Sequence, residues 1–197
     1  MSDVPPQVII IAGPNGAGKT TLAPFLLRER FRTSAFVNAD AIASGLSAFD
    51  PENVAIEAGR IMLRKLHELS EQRQRFAFET TLAARSYAPW IKRLRSSGYE
   101  MHLLFVSLRS AELAIERVAE RVRRGGHMIP PPEIRRRYQR GLQNLFELYI
   151  PLADTWAIYD NSESGVASMI AMGEKNGLPN IARPDQWESL HSHGECL

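Results

Sequence analysis

Residues 8–21 read VIIIAGPNGAGKTT, and the fold is decided there. The opening VIIIA is apolar at every position, as a central parallel strand covered on both faces requires. Gly13-Pro14-Asn15-Gly16-Ala17-Gly18-Lys19-Thr20 then matches G-x-x-x-x-G-K-[ST] in full, and a helical segment follows. Glycines let backbone N–H groups converge on phosphate oxygens, and the helix N-terminus adds the positive end of its dipole. The expected nucleotide contacts are Gly13, Asn15, Gly16, Ala17, Gly18, Lys19, Thr20 and Thr21. Lys19 would reach the terminal phosphates and Thr20 would ligate Mg²⁺. A glycine-rich turn that binds nothing has no need of Lys-Thr at its helix start.

Outward from this loop, short apolar runs alternate with longer stretches of helical period, the pattern of an α/β chain with a parallel sheet. Further strands are predicted at 35–38, 75–79, 100–107 and 155–159, five in all with the first. Helices are predicted at 19–29, from Asp50-Pro51 to about Gln72, and at 88–96, 111–124, 132–149 and 164–175. From Asn176 to Leu197 two prolines and weak periodicity predict a tail packed through Ile181 and Trp187. At 197 residues and 44% hydrophobic, the chain fits a single domain, 1–197. One cysteine, Cys196, makes no internal disulfide, and no apolar run approaches a membrane span, so a cytoplasmic protein is expected.

Ligands of an open parallel sheet lie beyond the carboxyl ends of its strands, which singles out Asp40 in VNAD and Glu79 and Thr80 in FAFETT. Asp40 is a general-base candidate for a hydroxyl attacking a γ-phosphate; its alternative task is to N-cap residues 41–44. Glu79 would orient a Mg²⁺-bound water or an acceptor hydroxyl; otherwise it is a solvated strand end. No strand ends in the aliphatic run plus Asp of a Walker B motif, which disfavours motor and transporter ATPases.

The net charge is only +2, yet the window 109–140 holds nine Arg against four Glu. Helical projection sets Arg117, Arg121 and Arg124 in a stripe beside the apolar side of the first helix, and Arg137 and Arg135 on either flank of the second. Gly125-Gly126 and Pro130-Pro131-Pro132 bound the turn between them, so 121–137 has the makings of a short arginine-rich lid. Closure over a nucleotide would bring Arg121 and Arg137, then Arg124, to the transferring phosphate. The competing reading is a solvated basic face with intrahelical pairs such as Glu120 to Arg124.

Taken together, GPNGAGKTT, VNAD, EAGR, FAFETT, the Gly-Gly-His turn followed by IP and RRRY, and YDNS resemble the zeta-toxin-like P-loop kinases over roughly 8–162. The Gly-Gly-His lid is similar to that of the stand-alone chromosomal type. The resemblance implies an adenylate-kinase-like P-loop NTPase fold, a five-stranded parallel sheet flanked by helices. It also implies ATP with Mg²⁺ as donor and transfer to a hydroxyl of a small acceptor, a UDP-sugar such as UDP-N-acetylglucosamine. By position, Asp40 matches the base, Lys19 and Thr20 the ATP and Mg²⁺ contacts, Glu79 and Thr80 the substrate wall, and Arg121, Arg137 and Arg124 the phosphate clamp. Asn161 would lie near the adenine, and an antitoxin-like inhibitor becomes a partner to seek.

Two further readings stay open. One is a P-loop NTP hydrolase or switch whose only acceptor is water. The other is a nucleic-acid binder or end kinase, which the absence of aromatics interleaved with the arginines disfavours.

Overall fold

The computed structural model describes residues 4–27, 31–33, 35–47, 54–126, 128–163 and 167–195. The apolar run after the N-terminus forms β1 (Gln7–Ala12), buried throughout but for its first residue. Its parallel neighbours are β3 (Phe76–Thr80) and β4 (Glu100–Ser107). Beyond β3 lies β2 (Phe36–Val37), and beyond β4 lies β5 (Thr155–Asp160), both parallel as well. These are the five strands predicted. Two antiparallel strands, β6 (Ser168–Glu174) and β7 (Asn180–Ile181), extend the sheet to β2-β3-β1-β4-β5-β6-β7. The sheet is therefore mixed and seven-stranded rather than purely parallel and five-stranded.

The helix expected over 164–175 is thus β6, as far as the described residues reach. Met, Ala, Glu and Lys favour helix locally, but the open edge of β5 offers a ladder, and pairing outweighs propensity. The expected tail also holds more order: α7 (Pro184–Glu195) stacks Trp187 on Trp156 at 5.7 Å between ring centroids. Ile181, in contrast, sits exposed in β7.

The remaining helices are α1 (Lys19–Leu26), α2 (Ala39–Leu46), α3 (Ala55–Glu71), α4 (Tyr87–Ser96), α5 (Ala111–Arg123) and α6 (Pro131–Asn144). On α3 the period of apolar residues turns Ala58, Met62, Leu66 and Leu69 inward; the Asp50-Pro51 start lies outside the described residues. One face of the sheet packs Phe76, Phe78 and Phe105 against Met62, Trp90, Tyr138 and Leu190. The other packs Ile9, Ile11 and Leu104 against Ala23 and Leu27 of the α1 segment. Each large side chain buried this way contributes about 1.5–3 kcal/mol, so β1 is held firmly from both sides. No helix among the described residues is long and apolar enough to cross a membrane.

From β1 the chain's neighbours diverge, β3 to one side and β4 to the other, and the loop after β1 opens at this division. A π turn (Leu145–Tyr149) continues α6 and rotates its last residues relative to an α-helical course.

Candidate active site

The loop after β1 needs glycine for two separate reasons. Gly13 has φ +140°, and a Cβ there would overlap the carbonyl of Val106 at the end of β4. Gly18 has φ +82°, and a Cβ would press on the Asn161 amide, 2.7 Å away. That amide is itself a support: Asn161 Nδ2 donates to Ala17 O at 2.8 Å. Asn161 thus braces the loop from the end of β5. Arg117 Nη2 donates to Ser162 O at 2.9 Å and ties α5 to the same segment.

Behind the loop, three elements meet on one carboxylate. Glu79 Oε2 accepts from Thr20 Oγ1 and from Asn38 Nδ2, each at 2.8 Å. Glu79 Oε1 faces Lys19 Nζ at 3.6 Å, and Lys19 donates to Pro14 O at 2.9 Å. Both side chains of this ion pair are about nine-tenths buried or more. Burial pushes the Lys19 ammonium below its ordinary value; Glu79 and then Asp40 push it back, and Arg121 adds to the lowering. An anion arriving beside Lys19 would supply charge that stabilises the ammonium further.

Asp40 is not the cap of α2. The N-cap is Asn38, whose Oδ1 accepts from the backbone N–H of Asp40 at 2.8 Å and of Ala41 at 3.3 Å. The Asp40 carboxylate is left exposed in the first turn. It stands where two cavities adjoin. One, of about 180 Å³, has a polar wall that includes Lys19, Glu79, Thr80, Thr81 and Arg137 and an apolar wall of Met62 and Tyr87. The other, of about 240 Å³, runs from Ala39 and Asp40 past Ser44 to Arg121 and Gly126.

The expected arginines divide. Arg137 lines the first cavity while its Nε donates to Glu133 at 2.7 Å, and Arg121 lines the second. Arg124 joins neither; it is exposed and paired with Glu120 at 2.9 Å, as the solvated-face reading has it. Arg135 is taken by Glu112 and Arg136 by Glu133. Thr21 is itself exposed in the first turn of α1. His127, in the turn between α5 and α6, lies outside the described residues.

Sequence reasoning missed the clasp that holds α6 over the site. Asn144 Nδ2 donates to Leu82 O at 2.7 Å, Tyr149 OH to Ala84 O at 2.8 Å and Tyr138 OH to Leu108 O at 2.7 Å. Leu82, just past FETT, is buried at φ +58°, a conformation rare for leucine that these contacts hold in place. No local signal marks Asn144. Asn38 had one, since asparagine ahead of a helix is a preferred cap.

Groups able to hold ATP and Mg²⁺ are present. The glycine cradle admits no side chain, and Asn15 Oδ1 is buried with no hydrogen-bond partner among the described residues. The Thr20 hydroxyl and the Glu79 carboxylate form the hard-oxygen set that Mg²⁺ selects.

The fold is similar to that of solved proteins. A chain of the AvrRxo1-ORF1:AvrRxo1-ORF2 complex with ATP matches at TM-score 0.76 and 16% identity, covering 99% of this chain and 66% of that one. This chain thus spans just under two thirds of that relative. A chain of the PezAT chromosomal toxin–antitoxin system of Streptococcus pneumoniae matches at TM-score 0.63 and 17% identity, covering 98% and 85%. In sequence, an uncharacterized protein of Haemophilus influenzae is 29% identical over 132 residues, 67% of this chain and 92% of that protein. The Zeta toxin family model matches residues 1–166, and with that match the chain belongs to the zeta toxin family.

Proposed function

We propose that the protein is a phosphotransferase moving the γ-phosphate of ATP to a hydroxyl of a small acceptor, with UDP-sugars such as UDP-N-acetylglucosamine the first to test. The observation that carries this reading is convergence: Lys19, Thr20 and Glu79 meet at the phosphate loop, and Asp40 faces the adjoining cavity. A hydrolase needs only the first group. A carboxylate beside a walled space the size of a small ligand part adds the means to deprotonate a second substrate.

The backbone N–H groups of the loop and Lys19 would hold the triphosphate. The Asp40 carboxylate accepts the proton of the acceptor hydroxyl as its oxygen bonds the γ-phosphorus; the bond to the β–γ bridging oxygen breaks, and ADP leaves with that oxygen. Thr20, with Glu79 behind it, would hold Mg²⁺, which would supply charge neutralisation at the phosphates. Glu79, Thr80 and Thr81 orient the acceptor. Arg121 and Arg137 act as phosphate ligands in cis, with the turn between α5 and α6 as the lid. Asn161 supports the loop on the adenine side. The toxin–antitoxin membership of PezAT supports seeking an antitoxin-like inhibitor.

The test is incubation with ATP-Mg²⁺ and a pool of nucleotide sugars and small metabolites, read by mass spectrometry. A gain of one phosphoryl group on a metabolite is expected. Free phosphate alone, with every acceptor unchanged, sinks the transferase reading in favour of a hydrolase or switch.

A further inference from the structure

We infer that Asn38 is a positioning residue of this site, aligning Glu79 and Asp40 through the two ends of one side-chain amide. The inference rests on the phosphotransferase reading and adds to it a residue with no expected part in the chemistry.

Asn38 is 7% exposed, and its amide is engaged at both ends. Nδ2 donates to Glu79 Oε2, and Oδ1 accepts from the N–H groups of Asp40 and Ala41. The orientation of the amide is forced. Reversing it would set Oδ1 against an acceptor-only carboxylate and the NH₂ against two backbone donors. The amide is planar, so the position of Glu79 at the end of β3 and the start of α2, where Asp40 sits, are fixed relative to each other.

Capping alone does not explain the residue. Serine and aspartate cap helices as well as asparagine does. Serine is too short to reach Glu79, and aspartate would turn a second carboxylate on it. Only asparagine caps α2 and also donates to the oxygen that Glu79 shares with Thr20, the hydroxyl expected at Mg²⁺. Asn38 therefore acts on the metal through Glu79, and on the base through the helix start.

Asn38→Ser separates the tasks, since it keeps the cap and loses the N–H donor. Binding of ATP is measured by calorimetry with Mg²⁺ and again with EDTA, beside the thermal midpoint. In the wild type, Mg²⁺ should strengthen ATP binding. Asn38→Ser should stay folded, with a thermal midpoint lowered by the lost bond to Glu79. It should lose about tenfold of the Mg²⁺-dependent gain while binding ATP in EDTA as before, the size expected of a group behind a metal ligand. Asn38→Ala should also lower the midpoint. Wild-type Mg²⁺ dependence in the Ser variant would reduce Asn38 to a helix cap and overturn the inference alone. A wild-type protein that binds ATP without help from Mg²⁺ and phosphorylates nothing overturns the inference together with the transferase reading.

Discussion

At the end of β3, the single carboxylate of Glu79 serves Lys19 and Thr20 of α1 and Asn38 at the cap of α2. Along α5 and α6, Arg123, Arg124, Arg135, Arg136 and Arg137 divide among Glu120, Glu112 and Glu133, mostly one helical turn away. The first arrangement joins residues 59 and 41 positions apart around an ion pair about nine-tenths buried, where each charge depends on the other. The second is largely local and wet, and such pairs contribute about 0–1 kcal/mol each. Density of charge in sequence is therefore a poor guide to a site. What marks one is charge brought from distant segments to a place water hardly reaches.

The hardest test of that contrast is Lys19→Ala. Removing the buried cation should weaken ATP-Mg²⁺ binding by about 10³-fold, the loss expected for a desolvated charge partner. Calorimetry would show it, and binding retained within tenfold would mean that the β3 knot is structural. Next comes Asp40→Asn. As Asn38 is the cap, the substitution leaves α2 in place, so phosphoryl transfer should fall about 10²-fold with ATP affinity changed by less than about threefold. An unchanged transfer rate would remove Asp40 from the chemistry.

Arg137→Ala against Arg124→Ala sets the two regions side by side. Arg137 lines the cavity beside Asp40 and should cost about tenfold in turnover, the worth of one charge-assisted contact. Arg124, 77% exposed, should change turnover by less than about twofold. Equal losses would show that the arginine segment acts as a field rather than through chosen members.

The same contrast explains what the sequence could reveal. The phosphate loop was legible residue by residue because its backbone demands, glycine at φ +140° and +82°, leave no other choice. The parallel strands were legible because burial on both faces writes a continuous apolar run. β6 was not, because its partner edge lies outside its own window and Met, Ala and Glu read as helix. Glu79 was found at a strand end, but its bond to Asn38 depends on β2 and β3 lying side by side. The split among arginines is likewise tertiary: periodicity ranks Arg121 and Arg137 near the apolar edge, but only packing shows which face a cavity.

The smallest effect expected concerns Glu133, the acid that holds both Arg136 and Arg137 at the start of α6. The hydrogen bond from Arg136 does most to bring its carboxyl down to about 2, partial burial opposes, and Arg137 adds to the lowering. The folded value lies below the ordinary 4.5, so the stabilisation is complete above pH 4.5 and drains away as pH falls toward 2. Screening around the half-exposed Arg136 should hold the net effect to about 1 kcal/mol. Urea unfolding at pH 7 should then show Glu133→Gln less stable by about that amount, with the gap to wild type narrowing below pH 4.5 and closing only as pH falls through about 2. A gap that stays constant with pH would mean that Glu133 contributes through packing rather than through its charge. The local pairs would then do even less for this fold than the comparison allows, and Arg137 would be free of any cost in turning from Glu133 to a phosphate.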